Sequence, residues 1–226
     1  LDFYEGKGVR PTLVLTLIYC MSTFRPIFFD LETTGTRPET DRIVEIAAYD
    51  PVRGKSFQQL VNPGILIPEE MTAIHGISNE MVKEIPSFAR VGADFITFCS
   101  GNVLFVAHNG EMFDIPFLRA ECKRHSLTFP SGWGLVDSLK WARKYRKDLP
   151  RHALQYLREM FGIPQNHAHR ALDDVMTLYR VFSLLTDDLT PEEILERGDG
   201  IRELSHPALT EPQLVEEGKV CVLELF

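Results

Sequence analysis

No Cys-x-x-Cys pair occurs in this sequence. Its four cysteines, Cys20, Cys99, Cys122 and Cys221, are widely scattered, which argues against a zinc ribbon and against a disulfide framework. A reducing, cytoplasmic setting fits them better. Positive charge is also in short supply: 24 Lys and Arg against 32 Asp and Glu leave a net charge of −8. An acidic chain is a poor general polyanion binder, so any contact with nucleic acid must be local, through a basic patch or through metal ions. Long apolar runs are missing as well. Leu13–Cys20, LVLTLIYC, is too short to span a bilayer. Asp2 and Glu5 stand where a secretory signal would be basic, and no small-residue cleavage site follows. Internal repeats and low-complexity segments are absent.

What is present is ordinary for a globular domain: 226 residues, 44% hydrophobic and 25% charged, enough for a core that needs no staples. Met21 stands just before the first convincing strand, so residues 1–23 are expected to be an N-terminal extension, with Met21 the native start. Strands are expected over Phe24–Leu31, Arg42–Tyr49 and Ser56–Val61, joined by turn chemistry into an antiparallel meander. Short helices follow over Pro68–Ile74 and Ser78–Val82. Phe88, Val91, Phe95 and Phe98 recur at helical spacing. NVLFVAH, Asn102–His108, reads as a buried strand, and Asp114–His125 as a helix. Gly134–Tyr145 reads as strand then helix; Arg151–Phe161 and Ala171–Leu185 read as helices. The pattern predicts a mixed α/β sheet covered by helices over residues 24–186. Residues 187–226 are acidic and proline-containing, and read as a tail.

The chemistry lies in the carboxylates. Asp30 and Glu32 end the apolar run IFFDLETTG. Residues two apart on a strand share a face, so two acids are held side by side at the end of a buried strand, at a cost in desolvation and repulsion. Asp114 follows the strand Asn102–His108, Asp174 lies in the last long helix, and His169 is placed in the loop or first turn before it. Carboxylate oxygens without thiolates select Mg²⁺ or Mn²⁺ over zinc. Two such ions can activate water against a phosphodiester, and a neutral histidine can take its proton. Each acid alone reads equally as a turn former or cap.

FFDLETTG, IVEIAAY, IPEEMTAIHGIS, VAHNGEMFDIPFL and HRALDD occur in the order of the DnaQ-like, or DEDDh, 3′→5′ exonucleases, which the region Phe24 to Leu185 resembles. The resemblance implies a ribonuclease-H-like fold with a mixed five-stranded sheet flanked by helices. It implies two Mg²⁺ or Mn²⁺ ions held by Asp30, Glu32, Asp114 and Asp174, with His169 as general base. It also implies substrate contacts. Thr33, Thr34 and Gly35 would line the terminal nucleotide, and Glu70 and His75 would hold its sugar and 3′-hydroxyl. His108, Asn109 and Phe113 would be strand-end contacts, with Met71 and Phe113 offering surfaces for base stacking. His75 reads equally as a packing residue in a tight turn, and Asp137 as a helix N-cap. HNGEMFD is one residue longer than the usual proofreading-subunit form HNAxFD, and in this resembles self-standing Trex-type nucleases.

The expected activity is removal of nucleoside monophosphates from single-stranded or mismatched DNA 3′ ends, in repair or proofreading. RNA trimming is the alternative, because DNA and RNA members share all five residues. A non-catalytic end binder or replication scaffold is a third reading, disfavoured because all five are present. Lys140, Arg143, Lys144, Lys147 and Arg151 form a basic stretch at helical spacing, with Pro150 expected to break the helix before Arg151; it could guide a phosphate backbone, or could be a solvated face. The last residues, VCVLELF, partly resemble sliding-clamp-binding peptides, although a terminal strand returning to the core is the simpler reading.

Overall fold

The computed structural model describes residues 24–164, 170–187 and 202–204. The expected N-terminal extension with Met21, His169 and the terminal VCVLELF lie outside these residues.

Six strands form one sheet: β1 (Arg25–Thr33), β2 (Ile43–Asp50), β3 (Lys55–Leu60), β4 (Val103–Ala107), β5 (Trp133–Asp137) and β6 (Arg202–Glu203), in the order β3-β2-β1-β4-β5-β6. β1, β2 and β3 pair antiparallel, whereas β4 runs parallel to β1 and β5 parallel to β4. The helices are α1 (Glu69–His75), α2 (Asn79–Val82), α3 (Phe88–Phe98), α4 (Asp114–Arg124), α5 (Ser138–Tyr145), α6 (Leu154–Met160) and α7 (Ala171–Leu185). The mixed five-stranded sheet is as expected. The addition is β6, a two-residue strand from the acidic tail, antiparallel to β5. Leu204 is buried, its N–H donates to the Trp133 carbonyl at 2.7 Å, and the Arg119 guanidinium donates to the Leu204 carbonyl. A two-residue strand is too short for hydrophobic periodicity to reveal.

β1 is apolar along its first half because both its faces are covered. Ile27, Phe29 and Leu31 point into one layer, with Phe95 of α3, Phe105 of β4 and Leu118 of α4. Phe28 points into the other, with Val175, Leu178 and Phe182 of α7. Burying each such ring contributes roughly 1.5–3 kcal/mol. Asp30 and Glu32 share the parity of Phe28, so alternation carries them onto the face that α7 crosses. α7 packs on both β1 and β2.

The basic stretch is not one helical stripe. α5 ends at Tyr145, and Arg146 caps it with φ −118° and ψ 52°. Lys147 and Arg151 therefore leave the helix, and Pro150 together with the extended Ala153 delays the next helix until Leu154. Lys140 is ion-paired with Glu111 at 2.5 Å. Cys99 and Cys122 are buried free thiols. Among the described residues, no helix is long and apolar enough to cross a membrane.

Candidate active site

The site lies at the carboxyl ends of β1 and β4, the neighbouring parallel strands at which the sheet order reverses, β2 flanking β1 antiparallel on its other edge. Open α/β sheets bind ligands at such switch points. Asp30, Glu32 and Asp174 each bring a potential ligand atom to within 4.8 Å of the other two. Asp174 reaches the site because it sits one turn into α7, with its N–H bonded to the Arg170 carbonyl at 3.1 Å. It is buried, whereas its neighbour Asp173 is half-buried, so position in the helix decides which acid faces the strand. The N-terminal turn of a helix also favours negative charge.

Asp114 is not one of the three whose ligand atoms lie within 4.8 Å of one another, but it is linked to them by charge. It opens α4 and is 2% exposed. Its charge disfavours ionisation of both Asp30 and Glu32. Burial raises Asp30 well above the usual carboxylate range, and Asp114, Glu32, Asp174 and Glu45 add to the effect. Burial, then Asp174, Glu45 and Asp114, push Glu32 up to about 8 against the pull of Arg170. Burial pushes Asp114 up to about 7, with Asp137 adding to it. The three clustered acids, with the charge of Asp114 acting on two of them and only oxygen donors among them, form a site that a hard divalent cation fits. The cation would replace the repulsion with attraction.

The loop between β4 and α4 explains how Asp114 is aimed. Asn109 adopts φ 70°, and the N–H groups of Met112 and Phe113 close on its carbonyl at 3.2 and 3.1 Å. A Cβ on Gly110 would lie 2.4 Å from the Ala107 Cβ, so only glycine lets the loop fold back this tightly. Asp137 secures the loop. Its Oδ1 accepts from Asn109 N at 3.1 Å, Leu139 N at 3.0 Å and Lys140 N at 3.3 Å, and its Oδ2 from Glu111 N at 3.1 Å. The expected N-cap is therefore also the clamp on the HNGEMFD loop. His108 shares a hydrogen bond with the Ser138 hydroxyl at 2.9 Å. Burial lowers its pKa to about 4 despite the nearby Asp137 carboxylate, so the ring is neutral at physiological pH.

The remaining expected contacts are distributed around this centre. Thr33 and Thr34 are buried with their hydroxyls engaged in the turn: Thr33 Oγ1 donates to the Gly35 carbonyl at 2.5 Å, and Thr34 Oγ1 accepts from Arg42 N at 2.9 Å. Glu70, Met71 and His75 are carried by a separate element, α1. Glu70 is exposed, and Met71 packs partly buried against the cluster of Val44, Ile67, Ile77 and Val82. His75 is 1% exposed, and its Nδ1 accepts the Ile77 N–H at 3.0 Å. One ring nitrogen is thus used within the turn. Phe113 is partly buried, its ring 5.0 Å from that of Phe117. Sequence reasoning missed Glu45, fully buried on β2 directly opposite Glu32. It accepts from Gln58 at 2.9 Å, from Arg170 at 3.2 Å and from the Ala171 N–H at 3.2 Å. A lone acid inside the apolar run IVEIAAY was the available signal.

Residues 27–182 match the RNase T family model, described as Exonuclease. Exonuclease DPD1, chloroplastic/mitochondrial, of Arabidopsis thaliana is 40% identical over 179 residues, covering 72% of this chain and 56% of that protein. The chain thus spans little more than half the length of that relative. DNA polymerase III subunit epsilon of Treponema pallidum is 37% identical over 165 residues, covering 70% of this chain and 74% of that one. Among solved structures, E. coli ExoI bound to single-stranded DNA, in its zinc-ion form, superposes with a TM-score of 0.68 at 20% identity. That match covers 77% of this chain and 42% of that chain, and identifies the fold as ribonuclease-H-like.

Proposed function

This chain belongs to the RNase T exonuclease family, and from that premise we propose that it is a metal-dependent 3′→5′ exonuclease. It acts on single-stranded or mismatched DNA 3′ ends and releases nucleoside monophosphates, in repair or proofreading. The observation that carries the reading is the convergence of Asp30, Glu32 and Asp174, with Asp114 beside them, at the strand-end switch point. DNA as substrate is supported by the relatives: one is a DNA polymerase III subunit and another fold neighbour is bound to single-stranded DNA.

Asp30, Glu32, Asp114 and Asp174 would hold the cations, two Mg²⁺ or Mn²⁺. When bound, these supply Lewis acidity at the scissile phosphate and lower the pKa of the attacking water. His169, by the family resemblance, takes the proton from that water. The turn at Thr33–Gly35 and the α1 residues Glu70, Met71 and His75 border the terminal nucleotide, as do His108, Asn109 and Phe113. The Thr33 and Thr34 hydroxyls are committed to the turn, so contact from this segment is made through its backbone and Gly35. The exposed Arg143, Lys144, Lys147 and Arg151 offer the local positive charge an acidic chain needs to hold a phosphate backbone. The scattered cysteines support a cytoplasmic setting for the enzyme.

The test is degradation of 3′-labelled single-stranded DNA, a mismatched duplex and a short RNA with Mg²⁺, beside the Asp30→Ala protein. Mononucleotide release from the two DNA substrates, abolished by the substitution, is the expected result. Release from RNA alone would replace the DNA reading with RNA trimming, and no release from any substrate would overturn the activity.

A further inference from the structure

Asp174 is gripped from a helix that contributes nothing else to the acidic group. Gln155, in the first turn of α6, donates its amide Nε2–H to Asp174 Oδ1 at 2.8 Å. Its other end is occupied too: Arg158, one turn further along α6, donates from Nε to Gln155 Oε1 at 2.8 Å. Arg158 is 7% exposed, and it also donates to the Ile163 carbonyl at 3.3 Å. An amide can turn end for end at little cost, but here its direction is imposed. A guanidinium can only donate, so the amide oxygen must face Arg158. The NH₂ group must then face Asp174, which as a carboxylate can only accept. The donors thus run in one direction, from a buried permanent cation through Gln155 to the acid.

We propose that Gln155 is a positioning residue for the metal site, with Arg158 setting its orientation. The inference rests on the proposed metal-dependent activity and names how the α7 ligand is held ready for a cation. Without the amide, Asp174 loses a donor that fixes the direction of its Oδ1, and more of its ordering is left to each binding event. Hydrogen bonds of this kind, from groups behind the metal ligands, change metal affinity by about 10–100-fold. Gln155→Leu removes the donor at similar size. Gln155→Glu keeps the shape and the Arg158 contact but turns a second oxygen toward Asp174.

The experiment measures Mn²⁺ binding by titration calorimetry on purified full-length protein, with melting temperature in the absence of metal and steady-state kinetics on single-stranded DNA alongside. For Gln155→Leu the expected result is a Mn²⁺ dissociation constant raised about 10–100-fold. Its kcat at low Mn²⁺ falls and recovers in excess Mn²⁺, while KM for DNA stays within about twofold of wild type. Gln155→Glu binds Mn²⁺ at least as weakly, and carries the comparison should the leucine protein not fold. Mn²⁺ binding equal to wild type in the folded variants overturns the positioning role alone. Wild-type protein that binds no Mn²⁺ overturns the metal-site reading and the positioning role with it.

Discussion

Glu32 and Glu45 stand directly opposite each other across the β1–β2 ladder, yet their surroundings give them opposite roles. Glu45 has Arg170 at 3.2 Å and the Ala171 N–H at 3.2 Å, so it serves as an anchor for the start of α7. Glu32 is pushed up to about 8, first by burial and then by the charges of Asp174, Glu45 itself and Asp114. One acid is neutralised within the protein; the other is left for a cation.

Removing the anchor is expected to loosen α7. Glu45→Ala deprives Gln58, Arg170 and the Ala171 N–H of their acceptor. Arg170 is partly exposed and can be rehydrated, so the loss is about 1–3 kcal/mol, the cost of stranded donors. A fall in the urea midpoint checks it, and Glu45→Gln, which keeps an acceptor, should fall less.

The metal-free protein should become less stable as pH rises. Glu32 and Asp114 have folded pKa values of about 8 and about 7, above their ordinary 4.5 and 3.8. Between those limits the folded state binds more protons than the unfolded chain, so unfolding free energy declines with pH and levels off above about pH 8. The fall is on the order of a few kcal/mol. Melting temperatures from pH 4 to pH 9 with a chelator would show it. Glu32→Gln should flatten the slope, and Mn²⁺ should reverse it by binding the ionised form.

Asp137 is expected to matter more than an ordinary helix cap. Asp137→Ala leaves four backbone N–H groups without their acceptor. Loss of the cap alone costs about 0.5–2 kcal/mol, and release of the loop adds to it. Because that loop aims Asp114, kcat should fall further than the loss of stability explains. Kinetics at a temperature well below the variant's own melting point separate the two effects.

Asp30→Ala and Asp174→Ala should abolish turnover while the fold persists. At pH 8 without metal, Asp30→Ala should melt at or above wild type, since it removes an acid whose ionisation burial opposes. The rise in melting temperature that Mn²⁺ gives wild type should be lost. His169→Ala, as loss of a general base, should cost at least ~10²-fold in kcat, measured by single-turnover release of the terminal nucleotide. Near-normal turnover in the folded protein would remove His169 from that role.

Much of the site was legible because it breaks local rules. Two acids at the end of IFF conflict with burial, and alternation alone puts Asp30 and Glu32 on one face. Asp114 and Asp174, each a common helix-start acid when taken singly, are legible only through their joint pattern with Asp30 and Glu32 and through the family segments. The Thr33 and Thr34 hydroxyls close the turn, a local use that the residue types alone do not reveal. Spacing alone carries the basic helix on toward Pro150, whereas α5 stops at Tyr145. Gln155 and Arg158 left no trace in the sequence, because LQYLREM looks like any partly solvated helix.

The sequence by itself determined the strands and helices of the domain and the acids near their ends. Apolar periodicity and turn residues act over a few positions, and those constraints are written locally. Only the tertiary structure decided which acids meet. Crossing α7 over the even face of β1 brings Asp174 to Asp30 across more than a hundred residues, and it leaves Glu45 to Arg170 and Gln155 to Asp174. Hydrogen bonds and repulsion depend on distance in space, and sheet order and helix crossing set that distance.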